Sequence, residues 1–209
     1  MKEIEAGSVD FVLTDIPYGA VSRDSNAIRK FDKEAADIET FSLDLFLPMV
    51  YDLSKTGVCI FCGKEQFSDV FRYFAEKPGT TRAIIWEKSN PSPVNGQHTY
   101  LSGVELAVWF KRRGAKTFNA FCKNTVFKFP TGRSKLHPTE KNHSLLEGIL
   151  LDNTNDGDVV LDPCMGSGST WLVCMKNGRR FVGIEIKENY YNIAANRLRE
   201  HAAQEKATS

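Results

Sequence analysis

Val159-Val160-Leu161-Asp162-Pro163-Cys164-Met165-Gly166-Ser167-Gly168-Ser169-Thr170 sets the architecture expected of this chain. Its first three residues are apolar with no polar alternation, the pattern of a strand buried on both faces of a parallel sheet. Asn155-Asp156-Gly157-Asp158 turns the chain into that strand, and a helix is expected over residues 170–176. A strand over 181–184 follows, ending at Glu185, and a helix over 188–199 closes the unit. Strand, glycine turn, helix and strand in this order build a parallel α/β sheet.

The pattern recurs toward the N-terminus. Residues 9–14 form a second unalternated apolar run, which stops at Asp15-Ile16-Pro17-Tyr18-Gly19. Residues 20–40 are polar and mixed in charge, too long for an idle connection, and read as a mobile, lid-like loop. Helical spacing over 41–53 (Leu43, Phe46, Leu47, Val50), a buried strand over 57–61 and an amphipathic helix over 65–75 come next. Strands over 81–86 and 104–110 flank a loop over 88–102, and a short helix is expected over 144–151. The alternation predicts a Rossmann-like α/β fold, a doubly wound, mostly parallel sheet with helices on both faces.

With 209 residues and 42% hydrophobic content the chain can bury one substantial core, so residues 1–209 are read as a single domain. The formal net charge of +1 decides nothing about partners. Five unevenly spaced cysteines lack the density of a disulfide framework, which fits a reducing cytoplasm. Cys59 and Cys62 have the spacing of a zinc half-site, but no second pair follows, so core packing and no metal are expected. No apolar run approaches the roughly 20 residues of a membrane span, and the N-terminus lacks a signal-like apolar segment. A soluble, cytoplasmic chain with no membrane partner is the expectation.

At a turn between a buried strand and a helix, Gly166 and Gly168 let backbone N–H groups approach a ligand closely. Glu185 ends the next strand about 20 residues on, where a carboxylate grips a ribose diol in such folds. Asp162 opens the turn, and its charge would repel a pyrophosphate. A cationic sulfonium ligand suits it better. The second constellation is Asp15-Ile16-Pro17-Tyr18, also at a strand end. An exocyclic base amine is a poor nucleophile because its lone pair is delocalised into the ring. Asp15 supplies a carboxylate acceptor and Ile16 a carbonyl, whose direction Pro17 helps to fix; Tyr18 offers a face on which a displaced base stacks.

Lys111, Arg112, Arg113, Lys116, Lys123, Lys128, Arg133 and Lys135 share one stretch that holds no acidic residue. Phe118, Phe121, Phe127 and Phe129 are interspersed. The segment suits nucleic-acid phosphate contact; the alternative is a solvated surface over core aromatics.

Together these residues resemble the DNA amino-methyltransferases, which carry a D/N/S-P-P-Y/F tetrapeptide and a cofactor motif of the form D-P-F-x-G-S-G-T-T. The order here, catalytic motif first, is similar to that of the permuted beta group. His137-Pro138-Thr139-Glu140-Lys141 matches that group's H-P-T-x-K-P element, and Trp86-Glu87-Lys88 with Asn90-Pro91 matches its W-x-K-x-N-P segment. Ile16 stands where the family has its first proline, Asn142 where it has the proline after the lysine, and residues 1–8 hold no counterpart of its early G-D-x-L-like turn.

The resemblance implies a class I methyltransferase fold and S-adenosylmethionine as cofactor. Asp162, Pro163, Cys164, Gly166, Ser167, Gly168 and Glu185 would hold the cofactor, with His137, Thr139 and Lys141 against its methionine part. Asp15, Ile16, Pro17 and Tyr18 would serve the target amine. Residues 111–136 fall where the group recognises its target, and their brevity points to a short site, relaxed specificity or a homodimer. The expected partner is DNA and the expected product N6-methyladenine. Cytosine-N4, RNA or protein-glutamine methylation, and a catalytically silent binding subunit, are the alternatives.

Overall fold

The computed structural model describes residues 1–18, 41–93, 96–131 and 141–208, with side chains as far as residue 201. The expected lid over 20–40 and the residues Arg133, Lys135, His137 and Thr139 lie outside these described residues. The elements are β1 (Val9–Asp15), α1 (Leu43–Leu53), β2 (Ser54–Cys62), α2 (Phe67–Ala75), β3 (Gly79–Lys88), β4 (Val104–Arg112), β5 (Val126–Phe129), α3 (His143–Asn153), β6 (Val159–Asp162), α4 (Ser169–Lys176), β7 (Arg180–Gly183) and α5 (Glu188–Thr208).

The strands form one seven-stranded sheet in the order β5-β3-β4-β2-β1-β6-β7. β1 pairs in parallel with β2 and β6, β6 with β7, and β3 with β5; β4 runs antiparallel between β2 and β3. Alternation along the central strands divides the core in two, as the two-residue period of a strand requires. Val12, Val58, Ile60 and Val108 pack with α1 and α2 through Phe46, Leu47, Val50, Val70 and Phe74. Phe11, Leu13, Cys59 and Phe61 point the other way and pack with α3 and α4 through Leu145, Ile149, Leu150 and Val173. The expected doubly wound, mostly parallel sheet with helices on both faces is what forms, and Cys59 and Cys62 are buried within it. Among the described residues no helix is long and apolar enough to cross a membrane.

The basic stretch requires a correction. Val126–Phe129 is an edge strand that the sequence reading missed, and its Phe127 enters the core while Phe129 packs against it. Phe118 lies against Trp109, so Phe121, 94% exposed, is the aromatic of the four that stands clear of the protein. The basic residues do not share one surface either. Because β4 runs against its neighbours, it ends at the edge where β2 begins, with Lys111 opposite Gly57. Asp15 sits opposite Phe61, four residues further along β2, or about 13 Å away.

Lys111, Arg112 and Arg113 therefore lie at the far edge of the sheet from Asp15. Arg112 is tied down by the Tyr51 carbonyl and stacks on the Tyr51 ring. Lys116 and Lys123 follow along that edge. Between them the Asn119 amide donates to the carbonyls of Leu151 and Thr154 at 2.9 Å, and Lys123 pairs with Asp152 at 2.7 Å. Lys128, on β5, returns to the edge that carries Asp15 and pairs with Glu87 at 2.6 Å.

Candidate active site

The two sequence motifs meet because β1 and β6 are parallel neighbours, with Phe11 opposite Val160 and Val12 opposite Leu161. Asp15 and Asp162 thus end adjacent strands at the same edge, the carboxyl edge where α/β sheets place their sites. The Thr14 hydroxyl donates to Asp162 Oδ1 at 2.7 Å and joins the two motifs directly.

Asp162 is 3% exposed, and the Cys164 backbone N–H also donates to its Oδ1, at 3.0 Å. Burial pushes this carboxyl up to about 6, against the opposing bonds from Thr14, Thr170 and the Cys164 amide. Asp162 therefore staples the turn to β1. Beyond it, Gly166 donates its N–H to Glu185 Oε2 at 2.9 Å, and Lys187 donates its N–H to Glu185 Oε1 at 2.8 Å. Gly166 adopts φ +51°, and a Cβ there would meet nothing within 4 Å, so an open cradle lies over the turn. Gly168, at φ +82°, is pressed instead against Ala194. Ser167 is buried, with its carbonyl and hydroxyl held by the Arg197 guanidinium at 3.0 and 3.2 Å.

The tetrapeptide is held from both sides. Ile16, 1% exposed, donates its N–H to the Phe61 carbonyl at 3.0 Å and so extends the β1–β2 pairing past Asp15. A proline at this position has no N–H to donate, so the isoleucine adds a bond to the sheet. Gln66 Nε2 donates to the Pro17 carbonyl at 2.9 Å, while Gln66 Oε1 accepts the Gly63 N–H at 3.0 Å. Asn142, the second departure, caps α3 by accepting from the Leu145 N–H at 3.1 Å, and its amide donates to the Pro130 carbonyl at 3.0 Å.

Lys141 stands in the Asp15 cluster. Its side chain is 7% exposed, and its ammonium lies 2.5 Å from Asp15 Oδ2, 3.0 Å from Glu105 Oε2 and 3.1 Å from the Tyr18 hydroxyl. Lys88 pairs with Glu105 Oε1 at 2.8 Å. Burial would lower the Lys141 pKa, but Asp15 and Glu105 outweigh it and hold the ammonium charged. Glu105 shows the mirror effect: burial raises it, and Lys141 with Lys88 brings it below the usual carboxylate range. Burial pushes the Asp15 carboxyl up, and the pull of Lys141 does not cancel it. Tyr18 is driven far up by burial and by the Asp15 and Glu105 charges, so its phenol keeps its proton. Among the described residues Asp15 Oδ1 is buried with no hydrogen-bond partner. A polarised carboxylate with one empty acceptor, beside a protonated aromatic, is equipped to take an N–H from a flat polar molecule.

Lys88, the lysine of the W-x-K-x-N-P segment, joins the site through Glu105, and Thr14, Gln66 and Glu105 complete it without belonging to any motif. Thr14 and Glu105 leave a faint trace, each being a polar residue inside or opening an apolar strand. Gln66 leaves none.

The description "DNA methylase" belongs to the family profile that matches residues 121–196, which include Lys141, the glycine turn and Glu185. The type II methyltransferase M2.DpnII of Streptococcus pneumoniae is 31% identical over 132 residues, 55% of this chain and 49% of that protein. The DNA adenine methyltransferase YhdJ of Escherichia coli (strain K12) is 28% identical, with 95% of this chain and 79% of that protein aligned. The chain spans about half the length of the curated relatives it matches first, 49% and 51%.

Among solved structures, the M1.HpyAVI–SAM complex superimposes with a TM-score of 0.69 at 29% identity, covering 91% of this chain and 89% of that one. The cytosine-N4-specific PvuII DNA methyltransferase superimposes with a TM-score of 0.71 at 16% identity, over 93% and 80% of the two chains, a likeness of fold alone. The fold is that of the class I methyltransferases. Both motifs lie at adjoining strand ends, and over most of its length the chain is similar in sequence and fold to DNA methyltransferases.

Proposed function

We propose that this chain transfers a methyl group from S-adenosylmethionine to the exocyclic N6 amine of adenine in DNA. The observation that carries the reading is Asp15 Oδ1, buried and without a partner among the described residues, one strand away from the glycine turn. The turn suits the cofactor: Gly166 leaves open space, and Glu185 lies beside it at the end of β7 for the ribose hydroxyls. Ile186, 85% exposed next to Glu185, offers an apolar face to an adenine ring. When bound, S-adenosylmethionine supplies a methyl group on a positively charged sulfur.

The chain's own residues prepare the amine. A base drawn from the duplex stacks on Tyr18, whose hydroxyl is fixed by Lys141 and Glu105. One amine N–H donates to Asp15 Oδ1 and the other to the Ile16 carbonyl, which localises the lone pair on nitrogen. As the methyl carbon would exchange its bond to sulfur for one to nitrogen, the electron pair of the broken bond would stay on sulfur and the amine would carry one proton too many. Asp15 Oδ1 accepts it, and the upward shift of that carboxyl favours the acceptance. Gln66 keeps the tetrapeptide backbone in place through the Pro17 carbonyl.

Adenine is preferred to cytosine because aspartate in the first catalytic position is commoner in adenine enzymes of the family, and because YhdJ, similar over most of this chain, is an adenine methyltransferase. The test is incubation of the chain with methyl-labelled cofactor and unmethylated DNA, followed by separation of the nucleosides. Label in N6-methyl-2′-deoxyadenosine is expected. Label in N4-methyl-2′-deoxycytidine would move the target to cytosine, and absence of label with cofactor binding retained would leave a binding subunit.

A further inference from the structure

The Asp15 cluster contains a second carboxylate, Glu105, whose long 3.4 Å bond from the Tyr18 hydroxyl does not account for its two ion pairs. Glu105 reaches the site because β4 begins at this edge, with Glu105 opposite Trp86. The Lys141 ammonium has three N–H donors, and three acceptors surround it: Asp15 Oδ2, Glu105 Oε2 and the Tyr18 hydroxyl. Glu105 also accepts from Lys88 at 2.8 Å and from the Tyr18 hydroxyl at 3.4 Å. Each donor of Lys141 and Tyr18 has an acceptor, and among the described residues one buried acceptor is left over, Asp15 Oδ1. An ammonium is a compact charge with rotatable donors, so with a donor to spare it would turn to both oxygens of the nearest carboxylate.

We propose that Glu105 is a positioning residue for methyl transfer: by holding Lys141 on Asp15 Oδ2, it keeps Asp15 Oδ1 open to the target amine. The proposal rests on the amine-binding role of Asp15 given above, and Glu105 itself touches neither substrate nor reacting atoms.

Charge follows the same logic. Asp15 and Glu105 face Lys141 and Lys88, two charges against two, so Lys141 is shared and does not neutralise Asp15 alone. The other titratable groups facing Asp15 are Tyr18, Cys62 at the end of β2, and Asp162 and Cys164 at the end of β6. Burial keeps Tyr18, Cys62 and Cys164 protonated, the Cys62 thiol being pushed up to about 12. Asp162 is shifted by burial, by its bonds from Thr14, Thr170 and the Cys164 amide, and by the Asp15 charge. The negative charge of Glu105 raises the Asp15 carboxyl; without it Lys141 acts on Asp15 alone and lowers it.

The test compares wild type, Glu105→Gln, Lys141→Met and the double variant for transfer to unmethylated DNA, with cofactor affinity and Tm measured alongside. Glu105→Gln should lower kcat on the order of ten- to a hundredfold. It should leave cofactor Kd in place and move the acid limb of the kcat profile to lower pH, a displacement that a purely structural role does not produce. In the Lys141→Met background the same substitution should change kcat little, because it acts through the ammonium. Multiplying effects in the double variant, or a Glu105→Gln enzyme with the wild-type kcat and acid limb, would overturn the proposal.

Should Glu105→Gln fail to fold, Lys88→Gln takes its place. It leaves Glu105 wholly on Lys141, weakens the hold of Lys141 on Asp15 and must move the acid limb to higher pH; an unmoved limb overturns the proposal. Wild type is the control: if it transfers no methyl, the amine-binding reading itself fails, whereas transfer that is insensitive to Glu105 refutes this inference alone.

Discussion

Thr14 and Asp162 sit on adjacent parallel strands, 148 positions apart in sequence, and are joined by a buried 2.7 Å hydrogen bond. The last polar residue before the tetrapeptide thus fixes the first residue of the glycine turn. If the glycine turn holds the cofactor and Asp15 the amine, as proposed, this buried strand pair fixes the one against the other, because a close-packed interior leaves little room to shift.

Thr14→Val, nearly isosteric, removes one donor from a carboxylate that Cys164 still holds. The Thr14 bond lowers the Asp162 pKa, so its loss raises that pKa above about 6. A cationic cofactor favours the ionised form, so affinity should fall as pH drops through the Asp162 pKa, by at most about tenfold per unit for one linked proton. In Thr14→Val this decline should begin at higher pH. Calorimetric titration of the cofactor between about pH 5 and 8 checks the shift; superimposable profiles for the two proteins would separate Thr14 from cofactor binding.

Asp15→Asn keeps the shape of the side chain but gives up the charge, and its NH2 group cannot accept from Lys141. Methyl transfer should fall by roughly 10²–10⁴. Cofactor affinity should stay within about twofold of wild type, since Asp15 faces the amine and not the turn. Steady-state transfer with equilibrium binding on the same preparation checks both, and a large loss of binding would place Asp15 at the cofactor instead.

Gln66→Leu removes the donor to Pro17 and the acceptor for Gly63 together. The tetrapeptide should then loosen by a fraction of an ångström, lowering kcat by about tenfold with cofactor Kd unchanged. An unaltered kcat would mean that the neighbouring Ile16–Phe61 bond suffices.

The two glycines separate stability from binding. Alanine at Gly168 meets a left-handed backbone and Ala194 at 3.0 Å, so it should cost stability, about 1–3 kcal/mol. Alanine at Gly166 pays only the backbone term, about 1–2 kcal/mol, but places a methyl in the open cradle. Gly166→Ala should therefore lose more cofactor affinity than Gly168→Ala while keeping a higher Tm; thermal melts and titrations on the pair decide it.

Much of this was legible in the sequence because the strands that carry the site are buried on both faces. An unalternated run such as Val9–Asp15 or Val159–Asp162 has few other readings, and a residue that ends such a run is placed at the sheet edge by that fact alone. The direction of β4 left no local trace. An antiparallel strand and a parallel one share the same apolar pattern, so the arrival of Glu105 at the site, and the departure of Lys111 from it, follow from topology. The strand Val126–Phe129 was hidden because four residues with Lys128 among them look like a basic loop until Phe127 is seen in the core. Lys141 was recognised by its motif and assigned to the cofactor, but its partners come from β1 and β4, and no spacing rule connects them.

That same topology makes a prediction about DNA. Lys111, Arg113 and Lys116 belong to the far edge of the sheet, whereas Lys128 lies on β5 at the edge that carries Asp15. A duplex that delivers a base to Tyr18 passes the near edge, and each phosphate contact adds about 0.9 to the slope of log affinity against log salt. Neutralising Lys111, Arg113 and Lys116 together should leave that slope unchanged, while Lys128→Ala should reduce it by about one. Glu87 already pairs with Lys128 at 2.6 Å, so DNA must compete for the ammonium, and Glu87→Gln should tighten binding. Fluorescence anisotropy with one unmethylated duplex over a range of salt measures all three. A reduced slope in the triple variant with no change for Lys128→Ala would put the DNA across the opposite edge and separate it from the Asp15 site.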